Sequence, residues 1–145
     1  MTPNTDSPSI IINELQDQDD DVPLDLHQFA IRLSQYLQLS INYIEITLLP
    51  KHHIQSLNND YFSVNTPTDT ISFNLTPNEA ITGDIYLCPA VIKANAIQFN
   101  TSYASEFKIV LIHSFLHLMG ERDGTDDEFK HMQNRQLHIL KELES

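Results

Sequence analysis

Two histidines, His113 and His117, have the spacing in this chain that best suits metal chemistry. Side chains four residues apart on an α-helix lie on one face, with their Cβ atoms about 6 Å apart. Their imidazole nitrogens can therefore reach one ion. Gly120 follows and can adopt the left-handed conformation that ends a helix. The chain could then turn back and bring the carboxylate of Asp123 to the same ion.

Two histidines and one aspartate at such a turn make a three-ligand zinc site with its fourth position open. An open position is what a catalytic zinc ion needs and a structural zinc ion lacks. The spacing therefore predicts one Zn²⁺ per chain, with His113, His117 and Asp123 as its ligands and, through the metal, as the catalytic residues.

The alternative is a pair of core histidines that bond to backbone carbonyls. A chain with 7 His in 145 residues contains a His-x-x-x-His pair by chance about 0.3 times. The segment 107–119, however, is apolar nearly all round, which is typical of a buried helix. Imidazoles that lose their hydration need partners, and one metal ion would satisfy both, so we favour metal ligation.

The charge balance limits how the chain can contact nucleic acid. The formal net charge is −12, and residues 1–25 carry seven acidic side chains and no Lys or Arg. Residues 26–145 remain acidic, with 13 acidic against 8 basic side chains. Because phosphate contacts need Lys and Arg, any RNA contact must rest on a local patch or on the metal itself.

Length and hydropathy predict a single domain over residues 1–145, in which residues 1–8 are flexible and residues 16–22 form an acidic loop. No apolar run approaches a membrane span, and no signal peptide is visible. The single Cys88 follows an apolar run and is expected to be a buried small side chain. A reducing, cytoplasmic location without a membrane partner fits these features.

Hydrophobic periodicity predicts the element order β-α-β-α-β-β-α-α-α. The first strand covers Ser9–Asn13, the second Ile44–Leu48, the third Thr70–Phe73 and the fourth Asp84–Cys88, with Pro77 and Gly83 in the loop before the fourth. Pro50 and Pro89 open two of the helices, and Ile54, Leu57 and Tyr61 form the apolar face of the first of these. Thr125 and Glu128 have capping-box spacing, and the inner face of the last helix is Phe129, Met132, Gln136, Ile139, Leu140 and Leu143.

This order favours an α/β fold, α+β-like in its second half. Strands that alternate with helices pair in parallel through right-handed crossovers, whereas the directly linked third and fourth strands favour an antiparallel pair. We therefore expect a mixed four-stranded sheet with about five helices packed on it. The histidine helix should lie against this sheet, with the metal in a cleft beside the strand edges.

Several segments between Leu48 and Leu143 resemble the YbeY family in order and spacing. These segments are Leu57-Asn58-Asn59-Asp60-Tyr61, Pro67-Thr68-Asp69-Thr70-Ile71-Ser72-Phe73, Gly83-Asp84-Ile85, Cys88-Pro89 and His113-x-x-Leu116-His117-Leu118-x-Gly120. The resemblance implies a mixed α/β fold and a metal-dependent endoribonuclease that acts on single-stranded RNA. It also implies roles in ribosomal RNA maturation and ribosome quality control. The implied partners are ribosomal RNA precursors and the ribosome or its proteins, with no DNA.

Two positions depart from the family pattern. The resemblance implies a histidine as third ligand at the position of Asp123, whose negative charge should make the metal a weaker Lewis acid. The alternative is that Asp123 is a solvated loop residue and that Glu121 or a water takes its place. The family also commonly has an arginine, proposed to act on the RNA phosphate, where this chain has Phe62. Arg122 or Lys51 could substitute for that guanidinium.

Other polar residues have two interpretations each. Asp69 is either a functional residue, as an acceptor for a ligand histidine or a residue of the cleft, or a turn residue before a strand, and Asp84 has the same ambiguity. Asp69 and Arg122 are further possible catalytic residues. The remaining candidate histidines are expected to be exposed rather than ligands; they are His52, His53, His131 and His138.

Two competing functions remain. The spacing His-x-x-x-His-x-x-Gly-x-x-Asp is that of a metzincin metalloprotease, but those enzymes carry a Glu general base where this chain has Ser114. The other possibility is a non-catalytic, ribosome-associated factor that a metal ion stabilises, which Phe62 and the acidic surface favour.

Overall fold

A computed structural model describes residues 9–15 and 20–144, and its elements follow the predicted order. The strands are β1 (Ile10–Glu14), β2 (Ile41–Leu48), β3 (Thr70–Asn74) and β4 (Ile81–Leu87). The helices are α1 (Leu26–Tyr36), α2 (Lys51–Phe62), α3 (Pro89–Gln98), α4 (Tyr103–Leu118) and α5 (Asp126–Leu143). The predictions for residues 1–8 and 16–19 lie outside the described residues, and residues 20–22 form neither helix nor strand.

The sheet is mixed, as predicted, with the strand order β1-β2-β4-β3. β1 pairs with β2 and β2 with β4 in parallel, whereas β3 and β4 pair antiparallel. This arrangement places β3 at one edge of the sheet, and α4 packs against it. Among the helices in the described ranges, none is long and apolar enough to cross a membrane.

Alternation along the central strands builds the core on one face of the sheet. Ile44 and Ile46 of β2 and Ile85 of β4 are fully buried. The same cluster contains further residues of β1, β2 and β4 and residues of helices α1, α3, α4 and α5. A second, smaller cluster contains Ile54 of α2 and Cys88. Cys88 is buried, as expected from its apolar neighbours.

Two hydrogen bonds from β3 fix the position of α4 at the sheet edge. The hydroxyls of Thr70 and Ser114 are 2.8 Å apart, and the Asn74 amide donates to the carbonyl of Leu118 at 2.9 Å. Both helix partners lie one residue after a histidine of the metal motif. The rotation of α4 that these bonds impose therefore also sets the direction of the two imidazoles.

Gly83 is not in a loop, as the sequence suggested, but inside β4, where it is buried. A Cβ at this position would lie 3.2 Å from one methyl carbon of Leu118 and 3.3 Å from the carbonyl oxygen of Phe73. Glycine is therefore needed here because the end of α4 approaches the sheet closely. The turn between β3 and β4 consists of residues 75–80 instead.

Two aromatic residues predicted to face inward are exposed. Tyr61 in the last turn of α2 is 63% exposed, and Phe129 in the first turn of α5 is 50% exposed. The apolar pattern of each helix continues through these terminal turns, but the rest of the protein does not cover the helix there. The other inner positions of α5, including Gln136, are buried as predicted.

Replacing Gly83 by valine should destabilise the fold by about 1–3 kcal/mol, because the added side chain overlaps Leu118 and the β3 backbone. Urea denaturation would measure this change. Gly124→Val is the matched control, since a Cβ there meets no atom closer than 4.0 Å; a change within about 0.5 kcal/mol is expected. Equal effects at the two glycines would contradict the close approach of α4.

Candidate metal centre

The structure brings His113, His117 and Asp123 together. The two Nε2 atoms are 2.9 Å apart, and Oδ2 of Asp123 lies 3.5 Å from each of them. In the described part of the chain, these three residues form the group of His, Cys or acidic side chains whose ligand atoms lie close enough together to hold one ion.

The donor set and its dimensions fit a zinc ion. Two imidazole nitrogens and a carboxylate oxygen are common zinc ligands, with bonds of about 2.0–2.2 Å. Ligands bonded at that length to one tetrahedral ion lie about 3.4 Å apart. The three observed separations, 2.9, 3.5 and 3.5 Å, lie on both sides of this value. The imidazoles are half-buried rather than enclosed, with 26% and 30% of their side chains exposed.

Gln136 of α5 orients the first histidine. Its side-chain oxygen is 2.6 Å from Nδ1 of His113, and the residue is only 8% exposed. Because an amide oxygen can only accept, this contact favours the tautomer with the proton on Nδ1, which leaves the Nε2 lone pair free to face the centre. Sequence reasoning missed this role, although a single glutamine among apolar inner positions of α5 is a signal that could have indicated it.

A compact turn after α4 brings Asp123 back to the histidines. The N–H of Gly120 donates to the carbonyl of His117 at 2.9 Å, and that of Glu121 donates to Leu116 at 3.0 Å. Gly120 has φ = +92°. These bonds form a Schellman motif, which explains the glycine that the sequence placed at the helix end. The connection is fixed at its other end by the predicted capping box of Thr125 and Glu128.

Glu121 is held away from the centre. Arg135 of α5 donates from Nε to its Oε2 at 2.7 Å, and Glu121 is absent from the converging group. The alternative that Glu121 replaces Asp123 as a ligand therefore has no support in the geometry.

Two clefts open beside His113. One, of about 360 Å³, is lined by both His113 and His117. Its remaining lining residues come from α2, β3 and the segment between them; they are Asn58, Phe62, Thr68, Thr70, Ile71 and Ser72. The second, of about 330 Å³, lies between α4 and α5 and includes Asp69, Glu106, Phe129 and Gln136. The predicted position of the site beside a sheet edge agrees with this arrangement.

Asp69 and Asp84 do not contact the histidines in the described structure. The acceptor at Nδ1 of His113 is Gln136 rather than Asp69, whose backbone carbonyl instead accepts from the N–H of Cys88 at 2.9 Å. In the second cleft, burial raises the pKa of Glu106, and the nearby Asp69 carboxylate raises it further. Burial, and then Glu45, raise the pKa of Asp84 in β4.

Arg122 and Lys51, the two cations predicted as possible phosphate contacts, line neither of the clefts beside His113 among the described residues. Arg122 is exposed and lines a separate depression with Glu121 and His131. Lys51 is the first residue of α2. The remaining candidate histidines are exposed, as predicted; they are His52, His53, His131 and His138.

A family model described as Endoribonuclease YbeY matches residues 13–144. The chain belongs to the YbeY family. Two of the family motifs in the sequence meet here, because the His-x-x-x-His segment of α4 lies beside the β3 segment that begins at Thr70.

Relatives named Endoribonuclease YbeY confirm this membership. The Chlorobium chlorochromatii protein is 38% identical over 91 residues, which cover 63% of this chain and 58% of that relative's length. The Pseudoalteromonas translucida protein is 35% identical over 127 residues, 80% of each chain. The solution structure of a Thermotoga maritima protein covers 93% of this chain and 91% of its own, with 23% identity and a TM-score of 0.60, and shows the same fold.

Gln136→Leu should weaken zinc binding about 10- to 100-fold, because the imidazole of His113 loses the acceptor that fixes its tautomer and orientation. Competition with a chromophoric chelator would measure the affinity. Gln133→Leu is the control on the same helix, since Gln133 is exposed and has no contact with Nδ1. An unchanged affinity in Gln136→Leu would contradict the orienting role.

Proposed function

We propose that this chain is a zinc-dependent endoribonuclease that hydrolyses single-stranded RNA during ribosomal RNA maturation and ribosome quality control. The observation that carries the proposal is the convergence of His113, His117 and Asp123 beside an open cleft. The name Endoribonuclease carried by the relatives supports RNA as the substrate. Precursor ribosomal RNA and the ribosome or its proteins are the proposed partners, with a cytoplasmic location and no role on DNA or at a membrane. One domain over residues 1–145 is the proposed organisation.

The proposed zinc ligands are His113, His117 and Asp123, at one ion per chain. A zinc ion held there supplies Lewis acidity, which polarises a phosphoryl oxygen and acidifies water. The chain itself contributes orientation: Gln136 keeps the Nε2 lone pair of His113 directed at the centre, and the turn at Gly120 delivers the carboxylate. The negative charge of Asp123 lowers the net charge of the centre relative to three histidines, which makes the site a weaker Lewis acid.

The cleft provides room for an RNA strand, but none of the described residues that line it is a Lys or Arg that could pair with a phosphate. Phe62 occupies the position of the family arginine and lines the cleft with both histidines. Phosphate charge is therefore neutralised mainly by the metal in this proposal. Asp69 and Arg122 have at most an indirect part, since neither contacts the ligand histidines.

Peptide hydrolysis by a metzincin mechanism would need a general base at Ser114, the residue after His113, and the structure gives no support for that role. Ser114 is fully buried, donates to the carbonyl of Val110 and bonds to Thr70. It can therefore not act as a general base in the cleft. The non-catalytic alternative predicts a metal ion that stabilises the fold and a protein that does not cleave RNA. Measurements of folding and of cleavage in the same variant therefore distinguish it from the nuclease.

His117→Ala should reduce cleavage of single-stranded RNA by about 100-fold or more, since several kcal/mol of transition-state stabilisation depends on the metal. Gel assays of the zinc-loaded protein would measure the rates. His138→Ala is the control, because His138 is exposed on α5 and pairs with Glu142 of the same helix.

Circular dichroism should show that His117→Ala keeps its fold. A variant that unfolds, together with a wild type that never cleaves RNA, would contradict the enzyme and support a metal-stabilised factor.

A further inference from the structure

We infer that Phe62 is a stacking surface for one base of a single-stranded RNA whose phosphate is bound at the histidine centre. This inference rests on the proposed function. Phe62 is 52% exposed, although its side chain is apolar. It lines the same cleft as His113 and His117. The position of this exposed ring in the cleft, rather than its exposure alone, makes it available for contact with a ligand bound at the histidine centre.

The ring of Phe62 is supported from within the fold. It lies nearly parallel to the ring of Phe73, with an interplanar angle of 8° and centroids 6.1 Å apart. Phe73 in turn contacts the rings of Tyr61 at 5.0 Å and Tyr86 at 6.4 Å. The aromatic group of α2, β3 and β4 therefore holds Phe62 in one orientation, which lowers the entropy cost of stacking on it.

Hydrogen bonds around the end of α2 fix the backbone that carries this ring. The side chain of Asn58, 9% exposed, donates to the carbonyl of Thr66 at 3.0 Å. Ser63 ends the helix with φ = +57° and donates from its N–H to Asn59 at 3.0 Å. Phe62 is thus part of an ordered helix end rather than of a loose loop.

The chemistry of the cleft favours a base over other contacts. The lining residues in the described ranges include no Lys or Arg, so phosphate pairing by such side chains cannot supply most of the affinity. Aromatic stacking can, because every base has a π-face. Thr68 and Ser72 add hydroxyl groups, which can bond to sugar or base edges. The cleft volume of about 360 Å³ is at the lower end of ordinary small-ligand pockets.

The chain contains no tryptophan, which gives a direct test. Phe62→Trp introduces a single indole into the cleft. Its fluorescence is titrated in the protein as purified, at low temperature, with a 2′-O-methyl octa-adenylate and with an abasic octamer of the same length. The octa-adenylate should quench the indole, whereas the abasic octamer should not. Gel analysis afterwards shows that the oligonucleotides are intact. Tyr36→Trp, on α1 and outside the cleft lining, should not respond to either.

Affinity provides the second measurement. Phe62→Leu keeps an apolar side chain but removes the π-face, and the dissociation constant for the octa-adenylate should rise about 5- to 100-fold. Phe62→Tyr keeps the π-face, so its dissociation constant should stay within about threefold of the wild-type value. Tyr36→Leu should leave the dissociation constant unchanged. Equal affinity of Phe62→Leu and wild type, or equal quenching by the abasic octamer, would overturn the stacking role.

The titration requires no turnover, so its outcome is separate from that of the cleavage assay. A wild type that cleaves RNA while Phe62→Leu binds the octa-adenylate normally contradicts stacking and leaves the nuclease in place. A base-dependent response at Phe62→Trp in a protein that never cleaves RNA contradicts the nuclease and supports stacking.

Discussion

The seating of α4 at the edge of the sheet is the constraint on which the rest of the structure depends. This helix is buried along most of its surface, including Phe107, Leu111 and Phe115. Burial leaves few rotations open to it, and the bonds from Thr70 and Asn74 select one. In that rotation the stripe containing His113 and His117 overhangs β3 and reaches two clefts. Core packing and ligand orientation are therefore set by the same contacts.

The centre is assembled from both ends of one short connection. α4 supplies the histidines, the Schellman turn at Gly120 reverses the chain, and α5 returns with Gln136 behind His113. Glu121, a competing carboxylate within this connection, is neutralised by Arg135. The residues around the motif thus supply a converging carboxylate, an orienting amide and an ion pair, which have different roles.

The element order, the sheet type and the three converging residues could all be predicted from the sequence, because each depends on local periodicity or on short spacing. Gly83 could not be assigned to a strand from the sequence, because a glycine inside β4 is explained by the close approach of a Leu118 methyl group, which is distant in sequence. Gln136 was recognised as buried but not as the partner of His113, because the partner lies 23 residues away. Tyr61 and Phe129 show the opposite error, in which a helical pattern continues beyond the packed surface.

Zinc content of the purified chain tests the central claim most directly. The account predicts one zinc ion per folded wild-type chain, with loss or clear weakening in Asp123→Ala and full content in Asp126→Ala, whose exposed carboxylate is outside the converging group. A folded wild type that binds no zinc at micromolar concentration would contradict it. The two histidines would then be ordinary core-edge residues, and the hydrolytic function would lose its basis.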